Sequence, residues 1–235
     1  MKSDATRYPF PSRRFVVYAK NGIVATSQYL AAQAGLDILK RGGNAIDAAV
    51  AAAACLTVVE PCSNGIGGDA FAIVWNEGKL YGLNSTGPAP KLLNAKMLYD
   101  MGHTEMPTYG WEPVTVPGIP AAWSALSGRF GRLSLSNTVM QAVSYASEGF
   151  PVSPVVAQGW GRAAQVYKNK LGEDLAKHWY DTFTKDGTAP KSGEIFRLPG
   201  HAKTLNEIGK TGAASFYRGE LAARIAAFAK QTGGI

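Results

Sequence analysis

Apolar positions recur along this chain with two different periods, and the switch between them outlines the fold. Residues 22–27 (GIVATS) read as a short buried strand. Behind it, Leu30, Ala34 and Ile38 recur every four residues while Gln33, Asp37 and Arg41 take another face, which predicts a helix over 29–41. Gly42-Gly43 closes that helix, and Asn44 with Asp47 three residues later forms a capping box for the next one. That second run, 45–59, is apolar on every side and predicts a helix buried all round. Glu60-Pro61 ends it, and a glycine loop comes next over 63–69. Residues 70–75 and 79–84 are β-rich and separated by Asn76-Glu77-Gly78, a hairpin signature. Beyond Gly87-Pro88 the period becomes helical, over 121–130, 136–148 (closed by Gly149), 155–167 and 203–209. A last helix is predicted over 219–231, with Leu221, Ile225 and Phe228 on one face. Early strands and late helices give an α+β class, with helices covering a sheet.

Composition narrows the function classes. Charged residues are 17% of the 235, below the usual share of about 25%, and 46% are hydrophobic, which excludes a disordered chain. The net charge of +7 invites a nucleic-acid reading, but its distribution argues against one. Residues 1–20 carry five basic groups and one acid, and 21–150 carry seven against nine. Residues 151–235 carry twelve against seven, interspersed by sign as on solvated helix faces. No nucleic-acid partner is expected. Two cysteines, Cys55 in an alanine-rich run and Cys62 after Pro61, cannot make a disulfide framework and read as buried thiols. His103, His178 and His201 share no ligand spacing, so no metal or cofactor is expected. The longest apolar run holds Asp47 and is too short to span a bilayer. With no apolar signal region before Phe15, the expected location is cytoplasmic, away from membranes.

Glycine is enriched at 27 of 235 residues, against about 7% on average, so its placement matters. Gly65, Gly67, Gly68, Asp69 and Ala70 formally fit the dinucleotide pattern G-x-G-x-x-A. That motif needs a strand before it and a helix after it, so that a helix N-terminus meets the phosphates. Here the predicted order is inverted. The alternative is structural: glycines permitting a tight, positive-φ passage from helix into strand. A non-catalytic phosphate-binding module built on Gly65–Gly68 stays open as a rival.

Several ordered blocks resemble the γ-glutamyltranspeptidase family. They are Gly42-Gly43-Asn44-Ala45-Ile46-Asp47-Ala48-Ala49, Gly65-Ile66-Gly67-Gly68-Asp69-Ala70-Phe71, Val116-Pro117-Gly118 and Arg129-Phe130-Gly131-Arg132-Leu133. Glu148-Gly149-Phe150-Pro151-Val152-Ser153 and Ala214-Ser215-Phe216-Tyr217-Arg218-Gly219 continue the resemblance, which runs from Asn21 to Ile235. It implies an N-terminal nucleophile (Ntn) hydrolase with an αββα sandwich. In that family a precursor cuts itself into a large and a small subunit, and the new N-terminal threonine of the small subunit is the nucleophile. By the resemblance, 1–20 is an irregular leader and 21–235 is a large-subunit portion. A small subunit from the same precursor completes the domain, and the heterodimers are allowed to dimerise. The substrate is a small-molecule amide.

No stretch matches the threonine-starting small-subunit motif, and Thr6, Thr26 and Thr57 lack its surroundings. No catalytic residue is expected in this chain, which alone should be inactive. Gly233-Gly234 would cap the last helix and Ile235 would open a further segment, so the chain reads as a share of a domain. In glutathione-processing members an arginine after the second hairpin strand clamps the substrate carboxylate. Aligning Leu83-Asn84-Ser85-Thr86-Gly87-Pro88 puts Asn84 there, with Ser85 beside it as the second substrate-binding candidate. An asparagine supplies hydrogen bonds but no charge. The alternative is that Asn84 merely caps the strand end. The missing arginine favours the branch resembling oxamate amidohydrolase or cephalosporin acylase.

Overall fold

The computed structural model describes residues 16–171 and 173–235, so most of the leader expected over 1–20 lies outside the described residues. The element order is α1 (Tyr29–Lys40), α2 (Ala45–Val59), β1 (Ala70–Asn76), β2 (Lys79–Ser85), α3 (Ala95–Asp100), α4 (Ile119–Phe130), α5 (Leu135–Glu148), β3 (Phe150–Pro151), α6 (Pro154–Lys170), α7 (Glu173–Phe183), β4 (Ile195–Phe196), α8 (Pro199–Thr211), α9 (Ala214–Arg218) and α10 (Glu220–Gln231). The α+β class holds. Two antiparallel sheets of two strands each are formed, β1 with β2 and β3 with β4.

Helix α2 is the axis of the core. It packs against α1 and α5, with α4 across it, and α8 packs on the far side of α5. Val50, Ala54, Cys55, Val58 and Val59 of α2 meet Leu30, Ala31 and Ala34 of α1 and Val139, Ala142 and Ala146 of α5 in one cluster. The alanines let these helices approach closely, and branched residues fill the space between them. One stripe of α2 departs from the all-round burial expected: Ala45 and Ala49 are exposed, and Ala53 and Leu56 only half-buried. That stripe faces a groove of about 550 Å³ whose other wall is the chain at 21–26.

The strand expected over 22–27 is not one. No backbone hydrogen bond joins the segment to another strand among the described residues. Apolar patterning alone cannot make a strand; a ladder needs a neighbour. Sequence reading also missed α3, α7, α9 and the short β3–β4 pair, and started α8 four residues late.

The α2 N-terminus is held as the capping box requires. Asn44 Oδ1 accepts from the Ile46 and Asp47 amides, and Asp47 Oδ2 accepts from the Asn44 amide at 2.9 Å. Asp47 is fully buried and its Oδ2 also accepts from the amides of Arg132 and Leu133, at 3.0 and 3.3 Å. Asn44 Nδ2 donates to the Phe130 carbonyl. One cap therefore also pins the α4–α5 connection.

This packing can be tested at two positions. Asp47→Ala strands three amides around a buried site and should cost about 3 kcal/mol in urea unfolding; Asp47→Asn, which keeps an acceptor oxygen, should cost less. A loss below about 1 kcal/mol for the alanine variant would mean the clamp is dispensable. His201, in the first turn of α8 with its ring edge on Phe183, has its pKa lowered by burial. The unfolded state then takes up the proton first as pH falls, so this contribution is complete above about pH 6.5 and is lost below it. His201→Phe should flatten the fall in stability below about pH 6.5, read from denaturation midpoints.

Candidate functional site

The glycine loop leads into the hairpin, and its main polar contact is with a helix. Gly68 O accepts from the amides of Gly118 and Ile119, at 2.9 and 3.2 Å, at the start of α4. Pro120 has no N–H, and the Ala121 amide donates to Tyr217 Oη at 3.0 Å. The phenol itself donates to the Pro117 carbonyl at 2.6 Å. A main-chain carbonyl and a tyrosine thus take the place of the side-chain cap that α4 lacks. None of Gly65, Gly67 and Gly68 has a positive φ, contrary to the tight passage expected. The loop is open rather than strained: a Cβ on Gly65 or Gly67 would meet nothing within 4 Å. Asp69 is exposed and takes part in no hydrogen bond or ion pair among the described residues.

Asn84 and Ser85 lie at the end of β2, where Phe71 pairs with Asn84 and Ala70 with Ser85. The Asn84 side chain bends back along its own strand, Oδ1 accepting from the Thr86 amide at 3.1 Å. This is an Asx turn, which engages the carboxamide oxygen and leaves Nδ2 without a hydrogen bond among the described residues. Ser85 is half-buried and its hydroxyl donates to the Gly118 carbonyl at 2.8 Å. The chain then crosses residues 115–118 at very short range. Val116 N donates to Pro88 O at 2.9 Å, and Thr115 Oγ1 donates to Thr86 O at 3.0 Å. A Cβ on Gly87 would lie 1.8 Å from Val116 O, and one on Gly118 would lie 1.8 Å from Ser85 O. Only glycine permits that crossing, and Gly87 also has φ +78°.

The hairpin has two unlike faces. Val74 is buried and Tyr81 half-buried on the inner one, where the Arg129 guanidinium lies 4.7 Å over the Tyr81 ring. On the outer face Phe71 (66% exposed), Ile73 (82%), Trp75 (70%) and Leu80 (66%) all stand open, with Asn84 at the end of the row. Covering four such side chains is worth on the order of 6 kcal/mol or more, while a lone two-stranded hairpin is marginal.

The sequence model of the family described as Gamma-glutamyltranspeptidase matches residues 31–235. The chain belongs to the γ-glutamyltranspeptidase family. It is similar in structure to the cephalosporin acylase from Bacillus halodurans, with 54% identity and a TM-score of 0.92 over 100% of this chain and 44% of that one. It is 38% identical over 218 residues to the glutathione hydrolase-like YwrD proenzyme of Bacillus subtilis, covering 90% of this chain and 39% of that protein. The oxamate amidohydrolase proenzyme of Klebsiella pneumoniae is 34% identical over 215 residues, covering 88% of this chain and 39% of that protein. The chain spans about two fifths of the length of these curated relatives.

Within this γ-glutamyltranspeptidase fold, the residues singled out in the sequence fall into one connected region. The glycine loop, the start of α4 and the end of β2 are linked by Gly68, Gly118 and Ser85. Sequence reading missed Thr115 and Tyr217 as parts of it. Thr115 directly precedes the Val116-Pro117-Gly118 block and Tyr217 lies inside the 214–219 block, so the signal was there without a partner to interpret it.

The thiols have no part in this site. Burial pushes the Cys55 pKa to about 12, while Cys62 is half-buried beside Gly159. At about pH 8, thiol titration of the native chain should therefore register Cys62 alone, with Cys55 reacting only after unfolding. Two fast-reacting thiols would mean the α2 core opens readily.

Proposed function

We propose that this chain is the large-subunit portion of an autoprocessing amidohydrolase or acyltransferase whose nucleophile, an N-terminal threonine, lies in the small subunit. The observation that carries the reading is the open apolar face of Phe71, Ile73, Trp75 and Leu80, in a family whose relatives are proenzymes more than twice as long. The unpaired segment 21–26 and the groove along α2 are a second surface for the same partner.

In such an enzyme the threonine hydroxyl attacks the amide carbonyl, its proton passing to its own α-amine. The C–N bond then breaks as that proton moves to the departing amine, leaving an acyl ester. Water completes hydrolysis, or a second amine completes transfer. Oxyanion donors come from the small subunit in this reading. This chain supplies Asn84, whose outward N–H groups can hold an acceptor on the acyl group without contributing charge. The substrate is a small-molecule amide, the partner a small subunit from the same precursor, with pairing of heterodimers compatible. The reading carries with it the cytoplasmic location expected from the sequence.

A glutathione-type γ-glutamyl hydrolase or transferase is the second reading, favoured by the name of the YwrD relative. Against it stands the uncharged Asn84; Arg129 is engaged on the opposite face of the hairpin. The phosphate-binding rival built on Gly65–Gly68 has little support, because β1 rather than a helix N-terminus follows the loop, and the amides of Gly118, Ile119 and Ala121 at the neighbouring α4 N-terminus already have acceptors.

Expression of the full-length precursor should give two polypeptides, the smaller starting with threonine by N-terminal sequencing, and its Thr→Ala variant should remain uncut. Ile73→Lys should leave the isolated chain as stable as before and block maturation of the precursor. Oxamate or an acyl-cephalosporin should be turned over in preference to γ-glutamyl-p-nitroanilide. Strong γ-glutamyl transfer to a dipeptide would establish the second reading, and a fully active uncut precursor would overturn both.

A further inference from the structure

Asn84 can select an acyl group only if its carboxamide is held in one orientation, and the contacts around it are arranged to do that. Its Oδ1 is committed to the Thr86 amide, so Nδ2 is the end left for a ligand. The turn persists only while the Thr86 peptide keeps its place. The two residues that follow Asn84 are each tied to the facing chain: Thr115 Oγ1 donates to the Thr86 carbonyl, and the Ser85 hydroxyl donates to the Gly118 carbonyl. Gly87 and Gly118 bring the two chains close enough for these hydroxyls to reach. Gly118 is in turn fixed through its own amide to Gly68 O.

We infer that Ser85 and Thr115 are positioning residues for Asn84, and that the glycine loop acts through Gly118 as the anchor of the same clamp. The inference rests on the proposed role of Asn84 in binding the acyl group. Ser85 thereby changes from a candidate ligand to a support, because its one proton is already donated to Gly118 O. The end of the carboxamide left for substrate is its Nδ2 donor, which suits an acyl group presenting a carbonyl or carboxylate oxygen at this point.

Kinetics of the mature two-chain enzyme separate the clamp from the site it serves, with the acyl substrate that the enzyme turns over as probe. Asn84→Asp keeps an acceptor for the Thr86 amide and removes the outward N–H groups; it should raise KM about tenfold or more. Thr115→Val and Ser85→Ala should each raise KM several-fold with kcat within about twofold, since a loosened donor weakens acyl binding without touching the nucleophile. Thr115→Ser, which retains the hydroxyl, should restore KM. If Asn84→Asp raises KM and neither clamp variant does, the positioning role is overturned while the role of Asn84 stands. If Asn84→Asp leaves KM unchanged, Asn84 does not touch the acyl group and the inference falls with it. A fall in kcat and thermal stability at constant KM for the clamp variants marks an ordinary structural role and also overturns it. Should Ser85→Ala fail to mature, Thr115→Val makes the same test from the facing chain.

Discussion

A single buried carboxylate organises this chain. Asp47 takes the Asn44, Arg132 and Leu133 amides on one oxygen while Asn44 reaches the Phe130 carbonyl. Any α2 N-terminus could be capped locally by Asn44. What the carboxylate adds is a fixed relation between α2 and the turn joining α4 to α5, more than eighty residues away. With the end of α4 held there, its start falls against Gly68, and that contact decides where residues 115–118 cross β2. The candidate site is therefore set by two ends of one helix. Buried hydrogen bonds to a charged acceptor suit this task, because each amide left without its partner carries the full cost of desolvation.

The same packing explains which surfaces stay open. Alanines on α2 let α1, α4 and α5 close around it, and this builds one dense core from short helices. The hairpin takes little part: Val74 is its one fully buried side chain. Its outer face is left with four large apolar groups, and 21–26 has no ladder partner among the described residues. Helices satisfy their own backbones and can finish alone, whereas strands need neighbours to satisfy theirs. In the proposed reading, a large-subunit portion is accordingly closed at its helices and left open at its strands.

That asymmetry also governs how much was legible in the sequence. The capping box at Asn44 and Asp47, the buried faces of α1 and α2, the hairpin and the Gly149 stop could be read locally, since each depends on residues within one turn or one loop. The 22–27 segment was misread because an apolar pattern does not by itself make a strand, and no described residue pairs with it. Helix α7 was missed although its signal is local: Leu175, Trp179 and Phe183 recur every four residues with Ala176 and Tyr180 beside them, and the aromatic residues of that face pack on α6 and α8. The site was half legible. Its residue blocks stood out, but the sequence could not say that Ser85 faces Gly118 or that Gly68 serves a helix fifty residues on.

In the proposed reading Asn84 stands where glutathione-processing members carry an arginine, and such an exchange would do more than remove a charge. An arginine at a strand end is long and reaches outward, and its pairing with a carboxylate depends little on the backbone beside it. A carboxamide is short and its direction is set by whatever its oxygen binds, so its selectivity is inherited from the local turn. Under that proposal, replacing one by the other would move specificity from a side chain into a backbone arrangement. The close crossing at Gly87 and Gly118, and the two hydroxyls that fasten it, are what such an arrangement requires. In this chain the glycines near the site serve that crossing and the α4 N-terminus.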